Sequence, residues 1–392
     1  MTIESYQKRT WLEVDLSAIK SNFQTVRKSI RERTKICCVV KANAYGLGAI
    51  ELARIYEQVG ADFLAVSNIE EAMQLRLANI RMPILILGYT DPHCAKILSA
   101  YNISQCVYSL KYAEELSNSA AQEGCVVKVH FKIDTGMGRI GFRGNNIDET
   151  IKDIYIAYHL PNFESEGIFT HFASADEGVL GEDYTNQQFN EFISIINLLK
   201  SKKCIFALSH CANSATIFDF PNMQLNMVRA GIVLYGIHPS TTMKTKLNLL
   251  PTIRLKAVVS LVKNLEKGDC VSYGRKYVAE SRRRIATLSI GYADGLWRSN
   301  SQKSICVEIN GVQAPYVGRI CMDQCMIDVT GIDVKAGDVA TIYGGSISIE
   351  NVAQANDTIA YELLCAISAR VPRVYIENEK TVDITDYSLW HA

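Results

Sequence analysis

The sequence has no surplus of charge: 41 Lys and Arg stand against 41 Asp and Glu in 392 residues. That balance excludes a net field drawing nucleic acid or anionic lipid to the whole molecule, and points to a small-molecule partner. No stretch reaches the roughly 20 apolar residues that a bilayer span needs, and the opening MTIESYQKRTW has no apolar targeting core. A cytoplasmic protein that does not enter a membrane is therefore expected. No zinc set is present either. Cys321 and Cys325 lie four apart without a matching Cys or His pair, and the seven histidines form no HExxH. Several of the twelve cysteines (Cys37, Cys38, Cys106, Cys125, Cys306 and Cys365) fall inside apolar runs, as small hydrophobes do in a reducing compartment. No metal is expected. Nor is there a low-complexity linker or charge block, which favours a packed interface over a flexible tether between domains.

What is present has a period. From residue 35 to about 235, short β-branched runs (KICCVV, FLAV, ILIL, QCVY, VVKVHFKI, GIFTH, IFALSH and NMVRAGIVLYG) alternate with stretches of helical spacing. Eight such units predict an α/β fold, a (β/α)8 TIM barrel, with its site at the carboxyl ends of the strands. After Pro251 the helical periods fade. SICVEI, CMIDV and DVATIY read as strands, Asn310-Gly311 as a hairpin turn, and YELLCAISARVPR as a returning helix. The expected division is a barrel over 13–245 and a mostly β C-terminal domain over 246–392, joined by residues 1–12.

GMGRIG, residues 136–141, fits the G-x-G-x-x-G pattern of a dinucleotide fold. That fingerprint needs a helix opening within the glycines, and FRGNN favours a turn instead. The expected strand ends carry a different set. Lys41 and Tyr45 follow the first, Lys132, Asp134 and Arg139 the fifth, and His171 the sixth. His210, Asn213 and Ser214 follow the seventh, while Arg229 and Gly231 lie in the eighth. Taken singly, Lys41 reads as a surface lysine, Arg229 as an ion-pair partner, His171 as a core histidine and Tyr45 as a loop aromatic. Together on one rim they fit pyridoxal 5'-phosphate (PLP), which needs a lysine amine for its aldehyde and a site for its phosphate and ring.

VVKANAYGLGA, KIDTGMGRIGF, GIFTHFASADE, VRAGIVLYG, VSYG, SIGYADG, VGRICMDQ and YELLCAISARVPRVY, in this order from about residue 11 to 375, resemble alanine racemase, a fold-type III PLP enzyme. The resemblance implies that Lys41 carries PLP, that Tyr45, Asn213, Ser214, Gly231, Ile232 and Tyr361 help bind it, that His171 lies along its ring and that Arg229 meets its nitrogen. It makes Lys41 and Tyr273 the two bases, Tyr273 being given across a homodimer interface. Arg139 and the backbone of Met322 would hold the substrate carboxylate. Lys132 matches a lysine often carbamylated in the family. Tyr292 and Tyr361 would narrow the entrance, with Asp176, Arg298 and Arg319 outside them. Cys211 and Ala230 stand where alanine and proline are common, at positions without a chemical role.

The implied activity is interconversion of L- and D-alanine, supplying D-alanine for peptidoglycan. A racemase of broader choice, or one acting on serine or basic amino acids, is the alternative. A non-catalytic PLP barrel would lack the VSYG and CMDQ segments, and a decarboxylase would not brace the carboxylate that it removes.

Overall fold

The computed structural model describes residues 9–387; the remaining ends of the expected domains, 1–8 and 388–392, lie outside the described residues. Residues 20–44 and 49–249 make one compact unit, and 9–19, 45–48 and 250–387 another. The strand β1 (Thr10–Asp15) belongs to the second unit.

In the first unit, eight parallel strands follow in the expected order: β2 (Lys35–Val39), β3 (Phe63–Val66), β4 (Ile84–Ile86), β5 (Ile103–Val107), β6 (Val127–Lys132), β7 (Phe163–Phe169), β8 (Leu208–His210) and β9 (Met227–Ala230). From β2 to β8 each strand pairs with its chain neighbours, and β9 pairs with β2, which leaves β8 and β9 as the two edges. At the seam between β8 and β9, the Asn226 amide donates to the Ser209 carbonyl at 3.1 Å and the Arg229 amide to Ala212 at 2.9 Å. The barrel is thus nearly closed. Side chains such as Ile36, Leu64, Ile84 and Val107 are buried because helices cover the sheet, which is why these strands read as unbroken apolar runs. Asn68, Ser109 and Asn146 start three of those helices, each side chain accepting the amide three residues on.

The interior of the barrel is more polar than its sequence runs suggest. In β6, Phe131 packs against Phe142 and Phe206, while its alternating neighbours His130 and Lys132 are buried. The β6–β7 register passes from Val129↔Ser165 to His130↔Gly167, so Glu166 is an extra residue in β7, a β-bulge.

The second unit is mostly β. Its remaining strands are β10 (Ile253–Leu265), β11 (Cys270–Val271), β12 (Tyr277–Val278), β13 (Arg283–Leu288), β14 (Cys306–Ile309), β15 (Val312–Pro315), β16 (Cys325–Asp328), β17 (Val339–Tyr343), β18 (Arg373–Glu377) and β19 (Lys380–Thr385). β10 is long enough to pair with β1 and β17 through its first half and with β13 through its second. Asn310 and Gly311 take φ of 50° and 76° between β14 and β15, the left-handed pair that a two-residue hairpin needs.

Two expectations change. The returning helix stops at Cys365 (Ala360–Cys365), and a second short helix, Ile349–Ala355, precedes it. Seven residues give too few turns for a period to register, although the Ser348 cap is visible in hindsight. All twelve cysteines are free, but Cys365 is exposed and Cys125 and Cys306 are only half-buried. An apolar neighbourhood in sequence did not put those three in a core, because Cys306 and Cys365 are terminal residues of their elements and Cys125 lies in the connection before β6.

Candidate active site

Beyond β2 the chain makes an uncommon turn. Ala42, Asn43, Ala44 and Tyr45 all hold φ between 51° and 55°, a full turn of left-handed backbone built without glycine. Within the barrel unit it is tied by side chains. Glu71 accepts the Ala42 amide on one carboxylate oxygen and the Ser67 amide on the other, both at 2.7 Å. Asn43 Oδ1 accepts the Ala49 amide at 2.8 Å, and Tyr235 donates its hydroxyl to the Val39 carbonyl. Lys41 is half-buried at the start of this turn.

Residues 45–48, where the turn ends, pack within the second unit. Arg373, 1% exposed, donates from Nε to the Gly46 carbonyl at 2.8 Å and from its two terminal nitrogens to Ser368 and Ile367. Tyr375 donates to Leu47. A Cβ on Gly46 would meet the Leu364 carbonyl at 2.6 Å, so only glycine fits. The rings of Tyr45 and Tyr361 lie 5.8 Å apart here, and burial raises the Tyr45 hydroxyl far above its usual titration range. Sequence reasoning gave Arg373 no role; its signal was an arginine opening an apolar strand.

At the other barrel strand ends, charge is concentrated around Arg229 in β9. Its guanidinium is buried. Nη1 donates to His210 Nδ1 at 2.7 Å; Nη2 faces the carbonyls of Thr170 and Cys211 and His171 Nδ1 at 2.8, 3.1 and 3.2 Å. Its Nε–H has no protein acceptor among the described residues. Burial lowers the Arg229 pKa to about 10, so it stays charged near neutrality. Burial, reinforced by Arg229, holds His171 and His210 well below the ordinary imidazole range, so both are neutral. Lys132 is buried with Nζ donating to the Ile133 carbonyl at 2.8 Å, and burial lowers it to about 8.

Where β8 and β9 end, Ser214 Oγ accepts the Gly231 amide at 3.0 Å, and Asn213 Oδ1 accepts the Thr216 amide and hydroxyl. Ile232 opens the short turn Ile232–Tyr235 beside them. The glycines of GMGRIG open no helix; the next one begins at Ile147. Their amides serve the protein itself, because the Asp134 carboxylate accepts Gly136 and Gly138 at 3.0 Å and so occupies the place an anion would take. Arg139 is exposed on this loop, and Asp176 is half-buried beyond β7.

The second unit holds the rest. Tyr273, 68% exposed, stands between Ser272 and Gly274, both at positive φ. Ser272 Oγ fixes the loop by donating to the Arg319 carbonyl at 2.6 Å. A cleft of ≈540 Å³ is lined by Ser272, Tyr273, Cys321, Met322, Asp323 and Gln324. The Tyr292 and Ala293 amides hold the Cys321 and Met322 carbonyls at 3.0 Å. Asp294, fully buried, accepts two bonds from Arg9 and one from Arg370, and caps Gly291. Arg298 is exposed and Arg319 half-buried. Lys41, Lys132, Arg139, His171, Asp176, Asn213, Ser214, Arg229, Gly231 and Ile232 therefore share the barrel unit, while Tyr45, Tyr273, Tyr292, Arg298, Arg319, Met322 and Tyr361 share the other.

Residues 14–239 match the family model of the alanine racemase N-terminal domain, and residues 252–375 that of the C-terminal domain. The chain belongs to the alanine racemase family. Membership makes it an enzyme of the isomerase class. It is similar to the alanine racemase of Clostridium tetani (strain Massachusetts / E88), 45% identical over 383 residues that cover 96% of this chain and 98% of that protein. The alanine racemase of Methanococcus maripaludis (strain S2 / LL) is 44% identical over 93% of this chain and 98% of its own. The solved alanine racemase of Clostridium difficile 630 superposes with a TM-score of 0.93 at 41% identity, covering 97% and 99% of the two chains. Among the described residues no helix is long and apolar enough to cross a membrane.

Proposed function

We propose that the protein interconverts L- and D-alanine with PLP bound at the barrel rim, as a homodimer whose sites each take Tyr273 from the partner subunit. The carrying observation is Arg229, whose terminal nitrogens are satisfied by protein while its Nε–H is left as a donor. That donor suits an unprotonated pyridine nitrogen. It also fits this group better than a carboxylate would, because an arginine does not give up its proton. Lys41 would take the aldehyde. Tyr45, Ser214, Gly231, Ile232 and Tyr361 would serve the phosphate, with Asn213 also on the cofactor side and His171 along the ring.

Bound PLP supplies an electron sink that acidifies the Cα–H of the amino acid. Inversion then needs a base on each face. Lys41 Nζ and the partner's Tyr273 hydroxyl fill these places, one removing the proton while the other returns one. Because Arg229 donates to His171 Nδ1, that imidazole carries its proton on Nε2. The Nε2–H is a donor suited to a phenolate. Arg139 and the Met322 backbone hold the carboxylate. The wide exposure of Tyr273 in the single chain supports its donation to a second copy. Tyr292, Asp176, Arg298 and Arg319 would shape the entrance. The domain bearing the cofactor would be 13–245, with 246–392 and 1–12 forming the other. We place the activity in the cytoplasm, feeding D-alanine to peptidoglycan.

Incubating the PLP-loaded protein with L-alanine and following circular dichroism should show loss of handedness. No change with either enantiomer would sink this reading. Tyr361 and Met322 favour a methyl side chain, so kcat/KM for alanine should exceed that for serine by roughly tenfold, the scale of one added atom. Faster turnover of serine, lysine or arginine would favour a broader racemase.

Lys132 has the chemistry for a carbamate, since only a neutral amine adds carbon dioxide and its pKa is about 8. At fixed dissolved carbon dioxide, occupancy should rise with pH through that value. A carbamate signal in ¹³C NMR, absent from Lys132→Ala, is expected, with loss of activity on stripping carbon dioxide. An unlabelled lysine in active protein would exclude the modification.

A further inference from the structure

Inside the barrel, behind Arg229, four side chains form an unbroken line. His210 Nδ1 accepts from Arg229, His210 Nε2 meets His130 Nδ1 at 3.0 Å, and His130 Nε2 meets Glu166 Oε2 at 2.9 Å. Ser104 donates its hydroxyl to the same carboxylate oxygen at 2.7 Å. His130 and His210 are fully buried, and Glu166 is 18% exposed at its side chain.

The proton positions follow from the two ends. Arginine has only donors, so His210 Nδ1 must offer a lone pair and His210 carries its proton on Nε2. That N–H points at His130 Nδ1, which must then accept. His130 is left with one proton, on Nε2, aimed at Glu166. A charged carboxylate has only lone pairs, so it accepts this proton's bond and closes the line in the same direction. Burial works against the carboxylate's charge, but the bonds from His130 and Ser104 outweigh it and hold Glu166 below the usual range.

The backbone is shaped for this line. The β7 bulge adds Glu166 to the strand at the level of His130. Beside it, a Cβ on Gly167 would come within 2.4 Å of the His130 ring, so glycine leaves the space that the imidazole fills.

We propose that Glu166 is a positioning residue for Arg229, fixing through His130 and His210 the direction of the hydrogen bonds that orient the guanidinium. The catalytic consequence rests on the function proposed above; the proton positions do not. Glutamine at 166 can donate as well as accept. It therefore permits the reverse direction, which turns a His210 N–H against the Arg229 N–H and displaces the guanidinium.

The test uses ¹⁵N-imidazole NMR of the full chain without PLP, together with kinetics of the loaded enzyme, for wild type, Glu166→Gln, Glu166→Leu and Ser104→Ala. Wild type should hold both histidines as the Nε2–H tautomer, and both Glu166 variants should populate the Nδ1–H form of His210. In these variants kcat should fall roughly ten- to hundredfold, while KM for alanine stays within about twofold because uniform binding is untouched. Ser104→Ala, which leaves the barrel filled, should move both readouts the same way to a smaller extent and carries the test if a Glu166 variant does not fold. An Nδ1–H form of His210 in wild type, tautomers unmoved by any variant, or altered tautomers with unchanged kcat would each overturn the proposal. A wild type that racemises nothing would instead reject the function and leave the tautomer result standing.

Discussion

Lys41→Ala should lose racemisation by at least about ten-thousandfold, because in the proposed mechanism one substitution removes both a base and the covalent anchor of PLP. The visible absorption of covalently bound PLP should disappear with it. Tyr273→Ala should bind PLP normally and lose roughly a hundred- to ten-thousandfold, the range for one acid–base group. The two losses should complement. A heterodimer of the variants places both defects in one site and leaves the other with an intact lysine and an intact partner tyrosine. After random exchange of equal amounts, half of the dimers are mixed and each has one working site, so about a quarter of wild-type activity should return. Verified exchange without recovery would rule out a shared site.

Arg229→Glu should be nearly as damaging and should change the products. The new carboxylate would face the Thr170 and Cys211 carbonyls and His210 Nδ1, all acceptors where a donor had stood. An uncompensated buried charge costs about 3–5 kcal/mol, so a lower melting temperature is expected. In the proposed site a carboxylic acid could also give a proton to the pyridine nitrogen, which an arginine would withhold. Charge on the substrate carbon would then be held longer in the ring, with more chance of proton return to the wrong carbon. Pyruvate released per racemisation event should therefore rise at least roughly tenfold relative to wild type. An unchanged ratio would leave Arg229 without the role of restraining this side reaction.

The barrel was legible because strands covered on both sides cannot hide their apolar runs, and Lys41 and Arg229 were legible as charges breaking into such runs. The glycines of GMGRIG could be set apart from a dinucleotide site because a turn, not a helix, follows them; Asp134 supplies the anion. Other features had no local signature. His130, Glu166 and His210 come from three strands, and a bulge that no propensity encodes brings one of them into line. Arg373 finds Gly46 across 327 positions of sequence. The order in which β10 meets β1, β13 and β17 is likewise set by packing between distant segments.

The left-handed turn after Lys41 has a consequence for how the molecule assembles. Four residues with side chains in that conformation cost roughly 1–2 kcal/mol each, more than the isolated segment can recover from its own bonds. The bend should consequently be among the last features to form on refolding and the first to relax when its supports weaken. Ala42→Gly and Ala44→Gly would ease the backbone while granting it freedom, so the melting temperature should hold or climb slightly as hydrogen exchange at this hinge quickens.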